Sequence, residues 1–140
     1  MSNLTLFHCA AQGYYGIANI FLFNRKYRMK VNERDSQGAT ALHFAVIGLY
    51  IKNVQALISL GADPNVQDFE GNTPLHLCIQ GLADMPDQFD KLKNIGKELL
   101  FCGASRTIRN KKDQTPFDLL TQNAELFSPE DYRKMQYVLT

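Results

Sequence analysis

The chain has 140 residues, 45% hydrophobic and 21% charged, an ordinary globular composition that argues against disorder. Fifteen basic and 14 acidic residues leave a formal charge of +1, so no global field draws the protein to nucleic acid or to a membrane surface. No run approaches the roughly 18 apolar residues that a spanning helix needs, so membrane insertion is not expected.

The opening stretch, MSNLTLFHCAAQGYYG, carries neither a basic n-region nor a cleavage site, and no secretory leader is expected from it. It contains Thr5-Leu6-Phe7-His8, the first of four copies of one phrase. The others are Thr40-Ala41-Leu42-His43, Thr73-Pro74-Leu75-His76 and Thr115-Pro116-Phe117-Asp118, with starts 35, 33 and 42 residues apart. A period near 33 marks a protein built of stacked repeats. Such stacks generally work by presenting a long surface to another macromolecule.

In the first unit, Tyr14, Tyr15, Ile17, Ile20, Phe21, Leu22 and Phe23 exceed what one buried stripe requires. Two readings stay open: the Asn24 to Lys30 loop folds over the excess, or an apolar end docks onto another domain or copy. The second unit is the cleanest. Thr40 caps a helix whose buried stripe is Leu42, Ala45 and Val46, and Gly48 stands where that helix should stop. A second helix follows, with Ile51, Val54, Leu57, Ile58 and Leu60 apolar on one side. Gly61-Ala62-Asp63-Pro64 ends it. An extended arm then turns at Asp68-Phe69-Glu70-Gly71, as an earlier one does at Asp35-Ser36-Gln37-Gly38.

The third unit holds nine extra residues, expected to extend the loop between its helices and to lengthen the second. Asp84, Asp87 and Asp90 around Met85 and Phe89 would make that segment an acidic lip beside a groove, or a plain solvated loop. In the fourth unit Asp118 replaces histidine, and Asp113 stands where a turn glycine is expected, giving a looser arm. Ser128-Pro129-Glu130-Asp131 starts the last helix with a cap, a first-position proline and a capping-box pattern.

The strings TALHFA and TPLHLC, LGADPNVQD with CGASRTIRN, and the DxxG turns resemble the ankyrin repeat, over essentially the whole chain. The resemblance implies an all-α solenoid of stacked helix-turn-helix units with projecting β-hairpin or turn arms. It is read as a single domain, residues 1–140, with units near 1–35, 36–68, 69–110 and 111–140. It also implies a protein–protein interaction module, an adaptor or scaffold, working through the concave face of arms and first helices. The alternative is a regulatory or substrate-recruiting segment of a larger protein, such as an ankyrin-bearing palmitoyltransferase, channel or kinase. Asn65 resembles positions that cytosolic hydroxylases modify in this family.

The three histidines, His8, His43 and His76, all sit at the fourth place of a phrase. Stacking would hold equivalent residues roughly 10 Å apart, too far to converge on a metal, so each is expected to tie its threonine to neighbouring backbone. Cys9, Cys78 and Cys102 are odd in number and widely spaced, which fits buried structural thiols in a reducing compartment. A cytoplasmic location is therefore expected, and a nuclear one is also compatible. No nucleophile motif, phosphate loop or carboxylate pair is present, so neither an enzyme nor a cofactor is expected. Two basic clusters, Arg25 to Arg34 and Arg106 to Lys112, read as solvated loop charge or as sites for an acidic peptide or anionic headgroup.

Applied residue by residue, the resemblance places partner-binding positions on the arm tips: Ser36, Gln37 and Ala39, then Phe69, Glu70 and Asn72, then Lys111, Lys112 and Gln114. The open side of the first helices adds Gln12, Ile47 and Gln80. Phe69 is the leading contact residue, because an aromatic on a projecting turn is poorly explained by burial unless it packs on the neighbouring arm.

Overall fold

The computed structural model describes residues 31–140. They form three helix pairs. Helices α1 (Ala41–Ile47) and α2 (Ile51–Ser59) make the first pair. Helices α3 (Pro74–Asp84) and α4 (Phe89–Phe101) make the second, joined through a 3-10 turn at Pro86–Gln88. Helices α5 (Pro116–Gln122) and α6 (Pro129–Leu139) make the third, with a 3-10 turn at Ala124–Leu126. Helix α3 packs on both α1 and α5, and α4 packs on α2, so first helices form one layer and second helices another. The units are therefore stacked side by side. The extra apolar residues of the N-terminal unit lie outside the described residues.

Each first helix starts where the phrase predicts. Thr73 accepts the His76 N–H at 3.4 Å and Thr115 accepts the Asp118 N–H at 3.1 Å, satisfying donors that a helix start leaves orphaned. Pro74 and Pro116 occupy first-turn positions where a missing N–H costs nothing. Ser128 likewise accepts from Asp131 at the head of α6.

The core is deepest between α3 and α4. Leu75, Ile79 and Leu82 meet Leu92, Ile95 and Leu99, all at most 1% exposed. Burial of each contributes about 1.5–3 kcal/mol. The nine extra residues of this unit do not simply enlarge a loop. Helix α3 has 11 residues against 7 in α1, and α4 has 13 against 9 in α2. Both helices grow because Leu82, Phe89 and Leu92 continue the buried stripes at helical spacing. Phe89 is therefore core and Met85 half-buried, while Asp84, Asp87 and Asp90 are exposed.

Helix α1 stops at Gly48 as expected, though not through a left-handed glycine. Gly48 keeps a right-handed conformation, and Leu49 takes the left-handed one with φ +63°. Gly48 is required for space instead, since a Cβ there would lie 2.3 Å from the Tyr50 ring. Gly61 does supply a left-handed stop, with φ +96°.

Three tight turns project between the helix pairs, with no β-strand among the described residues. Each opens on a side chain that accepts two backbone N–H groups: Asp35 from Gln37 and Ala39, Asp68 from Glu70 and Asn72, Asn110 from Lys112 and Gln114. Neighbouring turns are joined edge to edge. The Phe69 N–H donates to the Gln37 carbonyl and the Lys111 N–H to the Glu70 carbonyl, both at 3.0 Å. Gly71 cannot be replaced in this arrangement, because its φ is +79° and a Cβ would meet the Lys111 nitrogen at 2.7 Å.

The buried histidines bind one unit to the next. Nδ1 of His43 accepts the Thr40 N–H at 3.1 Å, which leaves the proton on Nε2, and Nε2 donates to the Asn72 carbonyl at 3.0 Å. His76 repeats this with Thr73 at 3.1 Å and Gln114 at 2.8 Å. Burial holds both imidazoles below the ordinary histidine range. Asp118 takes over the first half only: its carboxylate accepts the Thr115 N–H at 2.9 Å, a bond that lowers its pKa, but it has no donor to extend to another turn. Asparagines supply a second tie. Asn32 contacts Gly61 and Asp63 of the next unit, and Asn65 contacts Gly103 and Ser105, through both amide atoms.

These arrangements generate two expected outcomes. Because folding favours neutral His43 and His76, stability is complete above the unfolded pKa near 6.5 and is lost as pH falls below it toward the depressed folded values. Urea unfolding should show a decline of at most about 1.4 kcal/mol per pH unit for each histidine in that window. The double variant His43→Gln/His76→Gln should be less stable at pH 7.5 and flatter below it; an equally steep decline would remove the histidines as its source. Separately, Asp113 holds φ +59° where Gly38 and Gly71 hold +75° and +79°. Asp113→Gly should raise stability by about 0.5–1 kcal/mol in the same assay, despite loss of an exposed pair with Arg109.

Candidate functional site

Between the second and third turns, above α3 and α5, lies a depression of about 460 Å³. Seven of the twelve partner-binding positions read from the sequence line it: Phe69, Glu70, Asn72, Gln80, Lys111, Lys112 and Gln114. The repeat register explains why they meet. Phe69 and Lys111 occupy the same place in successive turns, as do Glu70 and Lys112, and the inter-turn hydrogen bonds hold those places side by side.

Phe69 resolves both of its readings at once. Its ring lies against Gly38 of the preceding turn, where a Cβ would come within 2.6 Å of it, and the Arg34 guanidinium stands 5.3 Å from its centroid. Over half of the residue, 54%, still faces solvent. The ring is thus held in place on one side and open on the other. Lys111 and Lys112 are exposed, and no carboxylate pairs with either among the described residues.

Asn72 and Gln114 are half-buried, and much of their hydrogen-bonding capacity is already used. The Asn110 amide donates to Asn72 Oδ1 at 3.0 Å and to Gln114 Oε1 at 3.1 Å, and Gln114 Nε2 donates to Gln122 at 2.7 Å. Gln80 is half-buried and contacts Asp84 at 3.3 Å, so Asp84 is the one carboxylate of the insertion tied to this face. Ser36, Gln37 and Ala39 sit on the first described turn, outside the depression: Ser36 and Gln37 are exposed, Ala39 is half-buried. Ile47 stands seven residues after its phrase threonine, as Gln80 does, and is 56% exposed one helix over. Gln12 lies outside the described residues.

The sequence reading missed the floor. Leu77, Leu119 and His76 line the depression together with Asn110. Leu77 and Leu119 both stand four residues after the phrase threonine, where Phe44 stands in the preceding unit. The signal was an apolar residue repeated on the side of the helix that should be wetted.

The remaining candidates are structural. Cys78 is fully buried, its thiol donates to the Leu92 carbonyl at 3.0 Å, and burial pushes its pKa up to about 12, far from a nucleophile. Cys102 is half-exposed, not buried as expected, and its pKa is also raised by desolvation. Cys9 and His8 lie outside the described residues. Of the basic clusters, Arg25, Lys26, Arg28 and Lys30 lie outside too, while Arg34 donates to Gly38 and Gln67 carbonyls and Arg109 to that of Asp113. The Asn65 amide is occupied by its inter-unit bonds. Among the described residues no helix is long and apolar enough to cross a membrane.

A family model for ankyrin repeats, in three copies, matches residues 6–110. An ankyrin repeat protein of Rickettsia felis is 33% identical over 108 residues, which cover 72% of this chain and 45% of that protein. One from Acanthamoeba polyphaga mimivirus is 30% identical over 100 residues, covering 71% of this chain and 13% of its own length. Human NF-kappa-B inhibitor alpha is 46% identical over 52 residues, covering 36% and 16%. The chain thus spans less than half the length of each of these relatives. Such repeats are generally protein-interaction modules. With the phrase, the stacked helix pairs and the projecting turns all in place, the chain belongs to the ankyrin repeat family.

Proposed function

We propose that this chain holds a segment of a partner protein on the face formed by its turns and first helices. The observation that carries the reading is the depression beside Phe69, where an open aromatic ring, an apolar floor and two lysines with no carboxylate partner among the described residues converge. Anchored aromatics of this kind are the residues that dominate interface energetics. Lys111 and Lys112 favour a partner segment with a carboxylate near an apolar side chain. A full interface would cover about 800 Å² on each side and would extend along the stack to Ile47, Gln37 and Ser36. The chain's thiol usage suits a reducing compartment, which supports a cytoplasmic location, with the nucleus also compatible.

A second reading concerns what the module belongs to. The chain matches only 13–45% of the three relatives described above, which suits a regulatory or recruiting segment within a longer polypeptide. One of those relatives is named as an inhibitor, a role that needs only occupancy of a partner. Both readings use the same face.

The test is affinity capture with the wild-type chain beside a Phe69→Ala/Ile47→Ala control, followed by calorimetric titration of the captured protein. Phe69→Ala should weaken binding by ~1–2 kcal/mol while leaving the melting temperature essentially unchanged. A partner that binds wild type and Phe69→Ala equally would remove this face from the interaction.

A further inference from the structure

Helices α4 and α6 do not close against one another. Between them, among the second helices, runs a groove of about 1020 Å³, roughly twice the depression beside Phe69. Two aromatic side chains stand at it almost free of contact: Phe101 at the end of α4 is 90% exposed and Tyr137 on α6 is 86% exposed. Half-buried Leu100 and Val138 also line it. A pair of large rings this exposed is not explained by packing, and contiguous apolar surface with a polar rim marks an interaction site.

The rim is strongly one-sided in charge. Lys93, Lys97, Arg106, Arg133 and Lys134 line the groove against one acidic side chain, Glu130. Glu130 is already engaged by Lys134 at 3.1 Å, and Lys93 stands 3.8 Å from Asp90. Lys97, Arg106 and Arg133 pair with no carboxylate among the described residues. Arg106 and Arg133 reach only the Val138 and Pro129 carbonyls, at 3.4 and 3.2 Å. For a chain with a formal charge of +1, this is a local concentration of cation around an apolar cleft.

We infer that the α4–α6 groove is a second docking site, for an acidic peptide segment that carries a large apolar side chain. The apolar side chain would lie between Phe101 and Tyr137, and carboxylates would pair with Lys97, Arg106 and Arg133. Charge complementarity selects the occupant. A second copy docking through this same face is a poor fit, since it would bring the same cations to the groove. A groove between two helices, with Leu100 and Val138 half-buried along it, also suits a peptide better than a flat bilayer. The site is formed by second helices, whereas the Phe69 depression is formed by turns and first helices, so the chain could hold two segments at once.

The test is fluorescence anisotropy with a labelled synthetic peptide of about a dozen residues, alternating glutamate with leucine and phenylalanine. Lysine-for-glutamate and serine-for-leucine/phenylalanine peptides serve as controls, and phosphatidylserine vesicles serve as a second probe. Saturable binding of the acidic apolar peptide is expected, weakened about tenfold or more by Lys97→Glu/Arg133→Glu and by Phe101→Ser/Tyr137→Ser. Because the Phe69 face also suits a carboxylate near an apolar side chain, titrations are repeated in a Phe69→Ala/Lys111→Glu background. Binding that survives there and falls with the groove variants belongs to this site. Binding lost there belongs to the one proposed above and overturns this inference. These side chains are exposed, and circular dichroism would verify that the variants fold. The inference is overturned by absence of saturable binding up to millimolar peptide, by equal binding of either control peptide, or by insensitivity to both double variants. Binding of vesicles but not of peptide overturns it in favour of a membrane contact.

Discussion

The structure depends on one two-sided hydrogen bond, that of a buried imidazole. Nδ1 takes the N–H of the threonine three residues earlier, and this forces the proton onto Nε2, which reaches the backbone of the next turn. A hydroxyl or carboxylate could satisfy the first contact; neutral histidine satisfies both from one rigid ring. A short helix such as α1, of seven residues, is too small to be stable alone. It persists because its start is fixed to the following unit while its stripe is buried against α2 and α3.

From that tie the binding surface follows. Anchoring the turn carbonyl at Asn72 and Gln114 sets the height of each turn over the first helix, and the inter-turn N–H bonds set their spacing. Side chains at equal places in the phrase then come together in space although 33 or 42 residues separate them in sequence. Phe69 shows the result. Its ring is supported by Gly38 and Arg34 of the preceding turn, so little conformational entropy would remain to be lost on contact with a partner. The scaffold's uniform ties and the site's variable residues are thus layers of the same repeat.

Much of this was legible in the sequence because caps, first-turn prolines and turn-opening Asp or Asn act over three or four residues. The helix starts at Thr40, Thr73 and Thr115 and the left-handed Gly38, Gly61 and Gly71 all belong to that class. Local rules failed where space decided. Gly48 stops α1 as its position implied, but it is glycine because of the Tyr50 ring, and the left-handed φ falls on Leu49. Phe89 was read as part of a lip, but only its partnership with a helix ten residues upstream shows that it is core. On the candidate face the arm tips were legible from register alone, while Leu77 and Leu119 were hidden by resembling ordinary core residues. The α4–α6 groove was illegible because it exists only through the failure of two distant helices to meet.

The side-chain ties also share a heading. His43, His76, Asn32 and Asn65 all reach forward, from a side chain in one unit to backbone in the next. Asp118 can be reached for but cannot reach. The stack therefore has polarity, like a row of hooks and eyes sewn in one direction. Units cannot be reordered at will, because the hook-less fourth would break the row anywhere but after the others. Surface residues such as Phe69 and Lys112 can change under this arrangement without disturbing the order of assembly, since their side chains carry none of these ties.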